Sequence, residues 1–231
     1  GYSLGESTAL FAMRAWRERD EMYARMRQSP LFQSELVGPC EAARRVWGLT
    51  DSDTVDWRSV VVNRRAAAVR TALADVDHVY LLIVNAPGEC VIGGQRGAVD
   101  AVVDALACEA VDLPGASTVH CPIARSVEDA YRGLHLLATT PPEGVRFYSV
   151  AQAQSYTVDS ASAADAIVAQ AVSGFDFAAT IEQAYTDGVR VFVEPGPQAS
   201  CSRMIAKILH GRPHVARSAC VKGEEGVTSV L

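Results

Sequence analysis

Val79-Tyr80-Leu81-Leu82-Ile83-Val84-Asn85-Ala86-Pro87-Gly88-Glu89-Cys90-Val91-Ile92-Gly93-Gly94 is the part of the sequence that most constrains the architecture. Val79 to Val84 is short and almost wholly apolar, which predicts a strand covered on both faces. Asn85-Ala86-Pro87-Gly88 reads as a turn, because proline presets one backbone angle and glycine frees the next. Cys90-Val91-Ile92 is the strand that follows, and Gly93-Gly94 is expected to end it. Upstream, Arg64 to Ala74 is alanine-rich and helical, with the β-branched run Val60-Val61-Val62 ahead of it. Downstream, Ala98 to Leu106 repeats apolar residues at helical spacing, and Ala110 to Leu113 closes as a strand. The order across 57–113 is therefore β-α-β-β-α-β, the split pattern of a ferredoxin-like unit. His78, at the head of one of its strands, reads as structural.

On either side the rhythm is different. Leu4 to about Met13 predicts a helix. Glu18 to Arg27 predicts another, with Met22, Tyr23 and Met26 at helical spacing and Ser29-Pro30 breaking it. Ala42 to Trp47 predicts a third. Beyond 113, Val127 to Leu137, Ser162 to Val172, Ala178 to Tyr185 and Ser202 to Leu209 read as helices. Val145 to Val150 reads as a strand, and Val189 to Glu194 as a strand of the buried, parallel-sheet type. The expectation is an α/β chain in which 1–56 and 114–231 make one large unit and 57–113 a smaller inserted one.

The 231 residues are 49% hydrophobic and 21% charged, enough apolar material for a substantial core. A net charge of −6 argues against nonspecific nucleic-acid binding, which needs a basic surface. No apolar run approaches the roughly 18 residues that cross a membrane. The cysteines at 40, 90, 108, 121, 201 and 220 include no C-x-x-C pair, so no metal site is expected. They read as reduced thiols of a cytoplasmic protein, mostly small core residues.

The chemistry-bearing residues begin with Gly1-Tyr2-Ser3-Leu4-Gly5, a G-x-S-x-G match. This pattern describes a tight turn that enters a helix and pushes the serine hydroxyl outward, with glycines where backbone segments crowd. The helix N-terminus offers N–H groups to a forming oxyanion, and the Leu4 N–H stands where such a donor is needed. A serine nucleophile needs a base. Of the histidines at 78, 120, 135, 210 and 214, His120 sits in Thr118-Val119-His120-Cys121-Pro122, a loop between an apolar strand and a helix, where catalytic side chains are commonly mounted. His135, His210 and His214 read as partly exposed.

Gly1-Tyr2-Ser3-Leu4-Gly5-Glu6-Ser7 resembles the G-H-S-x-G-E elbow of the malonyl-CoA:acyl carrier protein transacylases, a family that includes the acyltransferase domains of polyketide and fatty acid synthases. Asn85-Ala86-Pro87 with Cys90-Val91-Ile92-Gly93-Gly94 resembles its N-x-P…V-x-S-G stretch, and Phe192-Val193-Glu194-Pro195-Gly196-Pro197 its F-x-E-x-G-P stretch. The resemblance covers the whole chain and implies an α/β-hydrolase-like large subdomain, with a parallel sheet, carrying a ferredoxin-like insertion. It implies that Ser3 is acylated by an acyl-CoA, that His120 is its base, and that Gln170 orients His120 through its backbone carbonyl. The donor implied is malonyl-CoA and the acceptor the phosphopantetheine thiol of an acyl carrier protein; no permanently bound cofactor is implied. The implied partners are the carrier protein, a ketosynthase and other domains of the same polypeptide.

The chain departs from the family pattern in places. Tyr2 stands where relatives carry histidine. The arginine that pairs with a malonyl carboxylate falls, by ungapped count, on Gln28, with Arg27 and Arg25 close by. A one-residue shift turns a helical side chain by roughly 100°, so either the alignment slips or the carboxylate is held another way. Arg25 and Arg27 also read as a solvated helix face. Val119 stands where relatives tune acyl size. Tyr2, with Trp16-Arg17-Glu18-Arg19-Asp20, Gly38-Pro39-Cys40 and Gly144-Val145-Arg146-Phe147-Tyr148-Ser149, resembles the acyltransferase domains of iterative type I synthases, of the enediyne type or the polyunsaturated fatty acid type. The elbow also calls for a preceding strand, so the chain is expected to be the C-terminal piece of a longer domain.

Two other readings share these residues. An α/β-hydrolase-type thioesterase would finish its cycle with water and would want an acidic third member. A non-catalytic carrier-protein docking domain would keep its role without Ser3 or His120. Docking an acidic carrier protein requires a basic patch, for which Arg14, Arg17 and Arg19, or Arg203 and Lys207, are the candidates.

Overall fold

Apolar alternation over 57–113 produces two-sided strands, and the computed structural model, which describes residues 1–50 and 52–220, arranges them as one sheet. Its strands are β1 (Trp57–Val62), β2 (Val79–Ala86), β3 (Glu89–Gln95) and β4 (Ala110–Leu113), in the spatial order β4-β1-β3-β2 with antiparallel neighbours. Helices Ala66–Leu73 and Arg96–Leu106 cover one face around Val60, Val62, Val69, Ile92, Val99 and Val102. The other face presents Trp57, Leu82 and Val91 to the main core. Both faces of β2 are thus covered, which is why it reads as a continuous apolar run, whereas the edge strand β4 leaves Val111 exposed. Trp47 stacks between Trp57 (5.9 Å) and His78 (5.1 Å) and donates its indole N–H to the Tyr80 hydroxyl at 3.1 Å.

Two details of this hairpin differ from expectation. Asn85 and Ala86 lie within β2, leaving Pro87-Gly88 as the turn. Gly93 and Gly94 lie inside β3 instead of ending it. A Cβ on Gly93 would come within 2.8 Å of Leu82 and 2.9 Å of Ser59, and one on Gly94 would overlap the His78 carbonyl. These glycines admit neighbouring atoms.

The remaining helices follow in chain order: α1 (Gly5–Ala12), α2 (Arg19–Gln28) and α3 (Glu41–Trp47) precede the sheet. With Ala66–Leu73 and Arg96–Leu106 as α4 and α5, α6 (Glu128–His135), α7 (Ser160–Ser173), α8 (Phe177–Thr186) and α9 (Ser200–Ile208) come after it. Helix α6 is preceded by a 3-10 segment over Pro122–Val127, so the stretch expected as one helix from Val127 starts as a tighter turn. The strand expected at Val145–Val150 shortens to β5 (Phe147–Ser149), paired with β6 (Gln154–Tyr156). Between α7 and α8, β7 (Phe175–Asp176) adds a fifth, parallel strand to the sheet, with Ile83 opposite Phe175 and Val84 opposite Asp176. Strand β8 (Val191–Glu194) pairs in parallel with β9 (Val215–Ser218). It is not buried as expected, since Val191 is 64% exposed and no further strand pairs with it among the described residues. Residues 51 and 221–231 of the larger unit lie outside the described residues.

The six cysteines are free thiols; Cys40, Cys90 and Cys121 are buried, Cys108 and Cys201 half-buried and Cys220 exposed. Among the described residues, no helix is long and apolar enough to cross a membrane.

Gly94→Ala is expected to lower the unfolding free energy by about 1–3 kcal/mol through overpacking. Gly97→Ala, on α5 where an added methyl meets nothing, should leave it unchanged or raise it by up to about 1 kcal/mol. Urea denaturation of the two variants checks both.

Candidate active site

Ser3 occupies a left-handed backbone conformation (φ 51°), which a serine adopts only under constraint. Local hydrogen bonds supply it: Gly5 N–H donates to the Tyr2 carbonyl at 2.8 Å and Glu6 N–H to the Ser3 carbonyl at 3.0 Å. Any Cβ at Gly1 would overlap the Gly5 backbone, whereas one at Gly5 would meet nothing within 4 Å, so only the first glycine is demanded by crowding in this structure. The Leu4 N–H, at the mouth of α1, donates no hydrogen bond among the described residues. It is therefore open to an oxyanion.

Tyr2 turns into the protein. Its ring meets Phe175 and Phe177 edge-on at 5.2 and 5.4 Å, and its hydroxyl donates to Asn85 Oδ1 at 2.7 Å. Asn85 Nδ2 in turn donates to Glu89 at 3.1 Å, and Glu89 pairs with Lys207 at 3.2 Å. Burial raises the Tyr2 phenol well above its usual range, keeping it a donor. This chain of bonds pins the elbow to β2 and α9.

His120 is also left-handed (φ 66°) and buried. The loop around it is tied down on both sides: Thr118 N–H donates to the Leu36 carbonyl at 2.8 Å, and Cys121 N–H to the Ala171 carbonyl at 3.1 Å. The ring lies edge-on to Phe175 at 5.1 Å. His120 Nδ1 is 2.9 Å from the Gln170 carbonyl oxygen, which can only accept, so Nδ1 carries the proton. Nε2 is then the free base, and it lies 2.8 Å from Ser3 Oγ. Burial lowers the imidazole's affinity for a proton, partly offset by the Gln170 carbonyl. The arrangement can take a proton from Ser3 as its oxygen attacks a carbonyl and return it to a leaving group.

Gln170 does more than its backbone role. From the last turn of α7, its side-chain Nε2 donates to Glu6 Oε2 at 2.9 Å and to the Ser3 carbonyl at 3.3 Å. Sequence reading missed the second part played by this side chain and passed over Glu6. The signal for it was an acidic residue three past the serine, on a helix turn otherwise apolar or small. It also missed Gly174 (φ 71°), where a Cβ would press to 2.9 Å from the His120 carbonyl and overlap that of Leu82.

The other expected residues take no part in this Ser3–His120–Gln170 hydrogen-bond network. Val119 is half-buried against the core beside His120. Arg27 and Gln28 are exposed at the end of α2; the Arg27 guanidinium lies 5.8 Å from the Tyr23 ring centre, and no hydrogen bond joins either side chain to Ser3 or His120. Arg25 is not simply solvated: it donates to the Gly133 and Leu136 carbonyls at 3.1 and 2.9 Å, capping α6, and pairs with Glu21. His135 is buried instead of partly exposed. Its Nδ1 donates to the Tyr131 carbonyl at 2.8 Å, its ring stacks on Tyr131, and burial pushes its imidazole down to about 4. Glu194, in the F-x-E-x-G-P stretch, caps α9 by accepting from the Cys201 and Ser202 N–H groups at 3.1 and 2.7 Å. Arg14, Arg17 and Arg19 line a depression of about 720 Å³ beside α1, while Arg203 and Lys207 line one of about 590 Å³ beside Tyr2. Among the described residues there is no cluster of three or more metal-ligating side chains.

No family model matches the chain. It is similar over its full length to the acyltransferase domain from the second module of the salinomycin polyketide synthase, with a TM-score of 0.75 at 21% identity over 51% of that chain. The chain has the acyltransferase fold. The same fold is seen in a malonyl-CoA:acyl carrier protein transacylase from Xanthomonas oryzae, with a TM-score of 0.76 at 21% identity, covering 99% of this chain and 69% of that one. Among curated proteins, one component of the polyunsaturated fatty acid synthase of a Thraustochytrium species is 25% identical over all of this chain. The chain spans 12% of that relative's length. Within the acyltransferase fold, the elbow, the His120 loop and α7 meet at one point.

Because burial depresses His120, the rate of any Ser3-dependent acylation should stay on its plateau down to below about pH 6.5, the ordinary imidazole value, and fall only in more acid solution. An acid limb centred above about 7 would contradict this; a pH–rate profile of serine labelling measures it.

Proposed function

We propose that the chain is the acyltransferase unit of an iterative type I synthase, moving a malonyl or other short acyl group from CoA to an acyl carrier protein through an acyl-Ser3 ester. The observation that carries this reading is the 2.8 Å contact between Ser3 Oγ and an imidazole nitrogen whose partner nitrogen is held by a main-chain carbonyl. Ser3 attacks the thioester carbonyl as His120 takes its proton. The forming oxyanion lies toward the Leu4 N–H, and His120 returns the proton to the departing CoA thiolate. In the second half, the phosphopantetheine thiol gives its proton to His120, attacks the ester, and leaves as the acyl-carrier product while Ser3 recovers its proton.

Tyr2 and Val119 are assigned to the walls of the acyl site, and Arg27 or Gln28 to the malonyl carboxylate. The carrier protein is assigned to one of the two depressions, the one with Arg14, Arg17 and Arg19 among Glu18 and Asp20 or the one with Arg203 and Lys207 beside Glu89. The similarity to a component of a polyunsaturated fatty acid synthase supports that iterative type, while the enediyne type, with its antibiotic products, rests on the sequence motifs. A ketosynthase on the same polypeptide and a cytoplasmic setting follow from either. An orienting carbonyl in place of an acidic triad member favours transfer over a thioesterase cycle.

Incubation with malonyl-CoA should add one malonyl group to the intact protein, absent in Ser3→Ala and slowed by about 10²–10⁴-fold in His120→Ala, as intact-mass spectrometry reads it. Rapid CoA release without an adduct would point to hydrolysis, and no reaction to a docking role. If Arg27 holds the carboxylate, Arg27→Ala should lower malonyl labelling by at least about tenfold and leave acetyl labelling unchanged; equal effects on both donors would remove it from that role.

A further inference from the structure

Below the Ser3–His120 pair, Glu6 and Gln170 form a buried couple whose atoms do not balance. Glu6 is 3% and Gln170 3% exposed. Gln170 Nε2 donates to Glu6 Oε2, yet Glu6 Oε1 and Gln170 Oε1 are both buried without a hydrogen-bond partner. An ionised Glu6 strands two acceptors in a dry site. A single proton on Glu6 would give the couple a donor where it otherwise holds two unmet acceptors.

We propose that Glu6 is a positioning residue that works as a neutral acid, paired at both oxygens with the Gln170 amide, so that one side chain locks Ser3 and His120 together. Gln170 reaches Ser3 through its side chain and His120 through its carbonyl, so fixing its amide fixes the span between nucleophile and base. The inference rests on the reading of those two as the acylating pair. The N-terminal end of α1, whose first turn holds Glu6, favours the anion. The Val150 N–H at 3.5 Å also favours it, and the buried, unpartnered Tyr156 hydroxyl of β6 lies near enough for the Glu6 charge to raise its phenol. Burial outweighs them and pushes the carboxyl up to about 7. It is the one carboxyl among the described residues whose proton is held more tightly than usual.

The test is single-turnover acylation of Ser3 by an acyl-CoA from about pH 5 to 9 in wild type, Glu6→Ala and Glu6→Gln, together with infrared pH-difference spectra of the same proteins. An amide at position 6 presents one donor and one acceptor to Gln170, as the neutral acid does. The expected result is a loss of at least about tenfold in Glu6→Ala, recovered by Glu6→Gln, with the wild-type rate falling toward alkaline pH with a midpoint near 7 and the Glu6→Gln rate not. A protonated-carboxyl band should persist in wild type at pH 6, disappear with a midpoint near 7, and be missing from Glu6→Gln. The absence of that band in wild type, which needs no variant to fold, overturns the proposal, as does a tenfold loss in Glu6→Gln. If no acyl-CoA labels Ser3, the functional reading fails, and the infrared band still decides the state of Glu6.

Discussion

A main-chain carbonyl holds the histidine, and that choice shapes the rest of the molecule. A carboxylate could reach His120 from a flexible side chain; a carbonyl can reach it only if a whole helix is set to within tenths of an ångström. Helix α7 is accordingly fixed at both ends. At its start, Asp159 accepts from the Ser162 N–H at 2.7 Å and Ser162 answers by accepting from the Asp159 N–H at 2.8 Å. At its finish, Gly174 takes a turn that no side chain permits, and β7 is hydrogen-bonded into the sheet. Along its length Ala163, Ala164, Ala166 and Ala171 are buried, small enough to bring the helix close to its neighbours.

The nucleophile is secured by different means. Its backbone is strained, and the strain is held by the ring of Tyr2 between two phenylalanines and by the bond from Tyr2 to Asn85. Phe175 touches both Tyr2 and His120. Ser3 and His120 are therefore referenced to the same two-residue strand, although they are far apart in sequence.

Much of this was legible in the sequence because it depends on short-range rules. The β-α-β-β-α-β order follows from apolar period and turn residues, and the elbow from five consecutive residues. The Gln170 carbonyl was reachable only through family resemblance, since nothing in a glutamine's side chain advertises its backbone oxygen. The hidden parts depend on distant segments meeting. Gly93 and Gly94 look like a strand ending until the His78 backbone arrives against them. β7 is too short to show a period. Val189–Glu194 has the composition of a buried strand, but burial is a property of what lies over it. His135 looks like a surface residue of a polar helix, and only the approach of Trp16 to the Tyr131–His135 side of α6 encloses it.

The sheet also acts as a partition. Its face toward α3 carries the Trp47–Trp57–Tyr80 stack and borders the reactive half, whereas α4 and α5 pack on the opposite face in a separate apolar cluster. Evolution can therefore rework those two helices, in length, charge or surface shape, with little cost to the chemistry. They are the part of the fold whose outer surface can change while the Ser3–His120 contact stays the same.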